Sequence, residues 1–104
     1  MKTKQLVEQW ARDKNIHLPE RADKQFLKLV EEVGELAAGM ARNDPEMIKD
    51  AIGDVQVVLI ILSMQLGMDY DAALDMVYDI ISKRTGKTVN GVFIKDTDQP
   101  VSLL

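Results

Sequence analysis

The chain contains no cysteine, a single histidine, a single tryptophan and only 5% aromatic residues. Without cysteine it can build neither a disulfide framework nor a thiolate metal site. That fits a reducing compartment, and a cytoplasmic location is expected. Basic residues are outnumbered as well: 13 lysines and arginines face 17 acidic residues, for a net charge of −4. Binding to nucleic acid through phosphate neutralisation needs a basic face, so no nucleic-acid partner is expected. Long apolar runs are also lacking. The longest, Val57-Val58-Leu59-Ile60-Ile61-Leu62, is far short of the ~18 residues of a membrane span. The opening residues, Met1-Lys2-Thr3-Lys4, lack the apolar core of a signal peptide. No membrane partner is expected.

What is present is ordinary for a globular protein: 104 residues, 46% hydrophobic and 29% charged. This suits one domain spanning residues 1–104. A chain this short buries a modest core, which a partner subunit would extend. The run at 57–62 is apolar almost all round, more than one small bundle needs on one side of a helix, and a dimer or larger assembly is expected.

Punctuation divides the chain into four helical stretches and a tail. The first is expected over about residues 3–14, with Leu6, Val7, Trp10 and Ala11 at helical spacing. The second covers about 22–42, with Phe26, Leu29, Val30, Val33, Leu36, Ala37 and Met40 forming a broad apolar stripe. Asp44-Pro45-Glu46 supplies an N-cap, a proline for the first turn and an acid on the positive end of the dipole. The third helix therefore starts at 45 and runs to about 66, where Gly67 stops it. A fourth covers about 70–84. Beyond it, Asn90-Gly91 between Thr88-Val89 and Val92-Phe93-Ile94 is a hairpin signal. Long helices with short connections point to an all-α, antiparallel four-helix bundle with a short hairpin tail.

The chemistry sits in acidic residues. Glu31, Glu32 and Glu35 stand on the second helix, where Glu32 and Glu35 lie about 60° apart and Glu31 and Glu35 about 40° apart. Such spacing is also common on a solvated helix face, although like charges one turn apart repel. The third helix narrows the choice. Asp54 shares a stripe with Val58 and Ile61, roughly 160° from polar Gln56, and Asp50 lies one turn before it. An inward-facing aspartate is costly unless a cation holds it. That cation is either a basic side chain such as Lys28 or a metal shared by Glu32, Glu35, Asp50 and Asp54. A carboxylate-only set suits hard Mg²⁺ or Mn²⁺ rather than Zn²⁺. Such ions neutralise phosphates and activate water for displacement at phosphorus.

The stretch Lys28-Leu29-Val30-Glu31-Glu32-Val33-Gly34-Glu35-Leu36, followed by Asp50-Ala51-Ile52-Gly53-Asp54-Val55, resembles the MazG-like signature, EExxE on one helix and an acidic pair ending in Asp on the next. The segment from Lys83-Arg84-Thr85-Gly86-Lys87 through Gly91-Val92-Phe93 is also similar to small MazG-like proteins, phage-encoded ones among them. The resemblance implies an all-α, Mg²⁺-dependent hydrolase that splits nucleoside triphosphates between the α- and β-phosphates and assembles as a dimer or tetramer. It implies metal ligation by Glu32, Glu35 and Asp54, with Glu31 as the further glutamate that orients or deprotonates water. The family's second motif is ExxD, and Ala51 stands where its glutamate belongs. Asp50, one position earlier, is the candidate substitute. A non-catalytic helical regulator that keeps the fold is the competing reading, and Ala51 is the feature that favours it.

The remaining candidates are less specific. Lys28, Lys83, Arg84 and Lys87 are candidate triphosphate ligands, although cations near a helix C-terminus also satisfy its dipole. Trp10 fits the packed face of the first helix better than a base-stacking role. His17 is expected to be exposed and is given no role.

Overall fold

The C-terminal ends of the first three helices and the start of the third are written in local chemistry. The computed structural model describes residues 2–96. Three long helices come first, α1 (Lys2–Asp13), α2 (Ala22–Ala41) and α3 (Pro45–Gln65). Asp44 caps α3 as expected, its carboxylate accepting from the Met47 amide at 3.1 Å with Pro45 in the first turn. The C-terminal ends share one device. Asn15, Asn43 and Gly67 each take a left-handed φ, at 56°, 51° and 69°. The following amide then reaches back to close the last turn: Ile16 N to Ala11 O at 3.0 Å, Asp44 N to Gly39 O at 3.0 Å and Met68 N to Ser63 O at 2.8 Å. This is the Schellman closure, and asparagine serves it because its short polar side chain tolerates the conformation.

Residues 2–70 form one compact unit. Within it α2 and α3 run antiparallel: Gln25, near the start of α2, donates to Val58 O at 3.5 Å, while Gly39 at its end meets Met47 and Ile48. A short 3-10 turn, Pro19–Arg21, leads into α2. Gln65, at the far end of α3, donates to Ile16 O at 2.7 Å. Thr3 and Lys4 lie beside Gly53 and Val57, so α1 runs parallel to α3.

Gly39 marks where α2 and α3 come closest. A Cβ there would sit 3.2 Å from the Ile48 backbone nitrogen, the Ile48 side chain and the Met47 side chain. That accounts for a glycine in a helix, where it costs about 1 kcal/mol relative to alanine. Gly39→Val is expected to destabilise the protein by about 1–3 kcal/mol through overpacking, read as a lowered urea midpoint.

The described core is thin. It consists of Ala11 from α1 and Ala51, Val58, Ile60 and Ile61 from α3. The apolar run at 57–62 is therefore largely covered within the chain, with Val57, Leu59 and Leu62 half-buried. Exposed apolar side chains lie instead on α2 and among residues 74–81. Two further expectations are corrected. Trp10 is half exposed rather than packed, since α1 turns Lys4 and Ala11 inward. His17 is half-buried, and its Nδ1 is enclosed without a hydrogen-bond partner.

Residues 71–96 belong to a second compact unit. It holds most of α4 (Tyr70–Ile81) and an antiparallel hairpin, β1 (Gly86–Val89) with β2 (Val92–Lys95). Val89 pairs with Val92 across Asn90-Gly91, whose φ values of 51° and 79° are both positive. That is the two-residue turn whose twist matches the strands. The architecture is thus all-α with a hairpin tail. No single helix among the described residues is long and apolar enough to cross a membrane.

Candidate metal centre

The side that α2 turns to α3 decides what the site contains. Residues 25, 29, 32, 36 and 39 follow one another at four- and three-residue steps, which aligns them on one helix face. Gln25 and Gly39 contact α3 from the two ends of this row. Glu32 stands at its middle, 6% exposed, and with Gly39 it is one of the two buried residues of α2. Glu35, one turn on, is exposed. On α3, Asp54 is half-buried and lies on the side that carries buried Ala51, Val58 and Ile61.

These placements bring three carboxylates together. Oxygen atoms of Glu32, Glu35 and Asp54 all lie within 4.8 Å of one another. The Lys28 ammonium approaches Glu32 Oε1 to only 3.9 Å from an exposed position, too far for a hydrogen bond. Glu32 Oε2 is buried without a hydrogen-bond partner. Leaving such an acceptor unmet costs about 1–3 kcal/mol. The Glu32 pKa is raised accordingly, first by burial, then by the charges of Glu35 and Asp54 and, least, by a side-chain hydrogen bond with Glu35, with Lys28 opposing in part.

A divalent cation fits this arrangement. It would meet the orphaned Oε2 and reverse the repulsion among three acids, and the donors are all carboxylate oxygens, the set that hard cations prefer. Three protein ligands leave room for water and a ligand's phosphates. Beside Asp54 the surface is hollowed into a concavity of about 480 Å³, lined by Glu46, Lys49, Asp50, Gly53, Asp54 and Val57. Gly53 keeps it open, since nothing lies within 4 Å of where its Cβ would stand.

The other candidates fall elsewhere. Glu31 is exposed and outside the triad. Asp50 is exposed too and does not join the three acids, although it lines the concavity that Asp54 borders. Replacing Asp50 by alanine is therefore expected to lower Mn²⁺ affinity by less than about tenfold, the low end of the range for groups that act on a metal indirectly. Calorimetric titration measures it. Ala51 is 1% exposed, so no carboxylate enters the centre from that position. Lys83, Arg84 and Lys87 stand in the second unit. Lys83 pairs with Asp79 at 3.2 Å, and Arg84 borders a concavity with Tyr78, Ile81, Ser82 and Phe93. Lys49, which marks the polar side of the third helix in the sequence, lines the concavity one turn before Gly53.

Comparison with known proteins agrees with the geometry. The model of the MazG-like family matches residues 22–88, which takes in α2, α3 and all three acids of the triad. The chain is also 51% identical over 63 residues to an uncharacterized 18.2 kDa protein from the rep-hol intergenic region of Haemophilus phage HP1 (strain HP1c1). That alignment covers 61% of this chain and 39% of the phage protein's length. No solved structure matches.

Proposed function

Because the chain belongs to the MazG-like family, we propose that it is a Mg²⁺-dependent nucleoside triphosphate pyrophosphohydrolase. A (d)NTP and water would give a monophosphate and pyrophosphate. The observation that carries this reading is the buried, unpartnered Oε2 of Glu32 inside a three-carboxylate cluster. A merely solvated acidic face would have no reason to enclose it.

In this reading Glu32, Glu35 and Asp54 hold the cation, Mg²⁺ with Mn²⁺ as a substitute. Bound there, it supplies charge neutralisation at the phosphates and Lewis acidity toward water. The protein's part is placement. Rigid helices α2 and α3 fix the carboxylates, Lys28 stands at the edge of the cluster to meet phosphate charge, and exposed Glu31 accepts a proton from the attacking water. The concavity beside Asp54 is of a size that ligand sites commonly have. We further propose that it works in the cytoplasm, where such a substrate is found, and as a self-associated dimer or larger assembly.

A second reading, a non-catalytic helical regulator, draws support from buried Ala51. Incubation with a panel of ribo- and deoxyribonucleotides separates the two. Pyrophosphate release that needs Mg²⁺ and stops with chelator is expected. Diphosphate with orthophosphate would contradict cleavage between the α- and β-phosphates. No turnover together with no Mn²⁺ binding would overturn the hydrolase and favour the non-catalytic reading.

A further inference from the structure

The second unit gathers two of the chain's few aromatic rings around one hollow. Tyr78, Ile81, Ser82, Arg84 and Phe93 line a concavity of about 560 Å³, a size that small-molecule sites commonly have. Each wall has a local cause. Tyr78 and Ile81 share one side of α4, and Ser82 continues it. The Ser82 amide still reaches back to Tyr78 O at 2.9 Å, and the Arg84 amide to Ile81 O at 3.2 Å, which keeps Arg84 against the helix end. Phe93 comes from β2, and its ring lies across Gly86 on β1. A Cβ at 86 would stand 2.9 Å from the ring edge and closer still to the Ile94 carbonyl, so only glycine seats the ring there. Tyr78 and Phe93 nevertheless remain 65% and 48% exposed, which leaves ring surface open to a ligand.

The sequence offers three cations in this segment, and the structure separates them. Lys83 is held by Asp79 at 3.2 Å. Lys87 pairs with Ile94 across the hairpin, one step from the Thr88–Phe93 pair. Neighbouring residues of a strand project to opposite faces, so Lys87 and Phe93 leave the sheet on opposite sides. Arg84 alone of the three borders the hollow, and it makes no ion pair among the described residues. No acidic side chain lines the hollow beside it.

We propose that this hollow binds a nucleoside monophosphate, with its base against Tyr78 and Phe93 and its phosphate on Arg84. Aromatic walls accept any planar base, and a guanidinium meets a phosphate through two parallel N–H donors. Ser82 Oγ already donates to Asp79 O at 3.1 Å, so it faces a ligand as an acceptor, suited to a sugar hydroxyl or a base amine. One unpaired cation answers a single phosphate; a triphosphate would bring more charge than this lining meets. Binding through ring and guanidinium needs no metal, which separates the site from the carboxylate centre. The demand for a planar ring bearing an anion rests on the hollow alone. That the ligand is a nucleotide rests on the hydrolase reading, whose product is a monophosphate, and the site would then register product rather than substrate.

The test is calorimetric titration, in chelator, with the common ribo- and deoxyribonucleoside monophosphates, their nucleosides and inorganic phosphate. At least one monophosphate is expected to bind, its nucleoside and inorganic phosphate each about tenfold or more weaker. Tyr78→Ala should weaken the monophosphate about tenfold or more, as loss of one base–aromatic stack does. Arg84→Gln should erase the advantage of the monophosphate over its nucleoside, and Arg84→Lys should keep part of it. Both side chains are exposed, so the circular dichroism spectrum should not change. Asp54→Asn should leave this metal-free binding as it is. Failure of every monophosphate to bind at millimolar concentration overturns the inference. So does binding that survives both Tyr78→Ala and Arg84→Gln. A single-stranded oligonucleotide that binds more than about tenfold tighter than any monophosphate would also overturn it, making the ligand a strand. Pyrophosphate release is measured on the same protein. Release without metal-free monophosphate binding sinks this inference alone, whereas such binding without release supports it and sinks the hydrolase reading.

Discussion

Asp54→Asn is expected to lower Mg²⁺-dependent pyrophosphate release by more than about 100-fold, beyond the 10–100-fold typical of groups that only support a metal ligand. The amide is nearly isosteric, so the half-buried position beside Val58 and Ile61 keeps its packing. It cannot supply the charge that a hard cation requires. Helix content by circular dichroism should be unchanged. Without metal the variant should be as stable as the wild type or more so, because one of three mutually repelling charges within 4.8 Å has gone. Turnover within about threefold of wild type, a barrier change below about 0.7 kcal/mol, would remove Asp54 from the centre. Loss of activity with loss of helix content would show that Asp54 holds the fold instead.

The contrast between Asp54 and its neighbours shows what sequence pattern can carry. Helix ends are local, and so they were legible: Asp44-Pro45 starts α3, Gly67 ends it, and Asn90-Gly91 turns the hairpin. The left-handed φ of Asn15 and Asn43 closes α1 and α2 in the same way as Gly67 closes α3. Which face of α2 packs was not legible. The rows 25-29-32-36-39 and 26-30-33-37-40 have the same spacing, and the second is the more apolar. Periodicity alone would bury it. The first row packs because Gly39 lets α3 approach, and a close approach between helices is a tertiary event. The same event decides the acids. Glu32 and Asp54 face each other across the helix pair, whereas Asp50, only one turn from Asp54, projects to solvent. A one-dimensional spacing of four residues cannot distinguish a ligand from its neighbour when the partner helix sets the angle.

Glu32 carries the second large effect, and pH exposes it. Its carboxyl binds a proton more tightly in the folded chain than the ordinary value of 4.5 implies, first because it is buried and then because Glu35 and Asp54 lie close. The folded state therefore holds more protons than the unfolded state above that value. Stability without metal is fully retained below pH 4.5 and is lost as pH rises through the raised folded-state pKa. Glu32→Gln has no such titration. Its melting temperature should match the wild type near pH ~4 and exceed it near pH ~8 by about 5 °C or more, since relieving a buried unpaired group yields about 1–3 kcal/mol. Mn²⁺ should reverse the order. The wild type gains stability from a ligand that binds only the folded state. The variant should gain almost none, and its Mg²⁺-dependent turnover should fall by more than about 100-fold, as for Asp54. A variant less stable than wild type at pH ~8 without metal would mean that the Lys28 ion pair, at 3.9 Å, already satisfies Glu32. The buried oxygen would then need no cation, and the enclosed carboxylate would cease to be evidence for a metal centre.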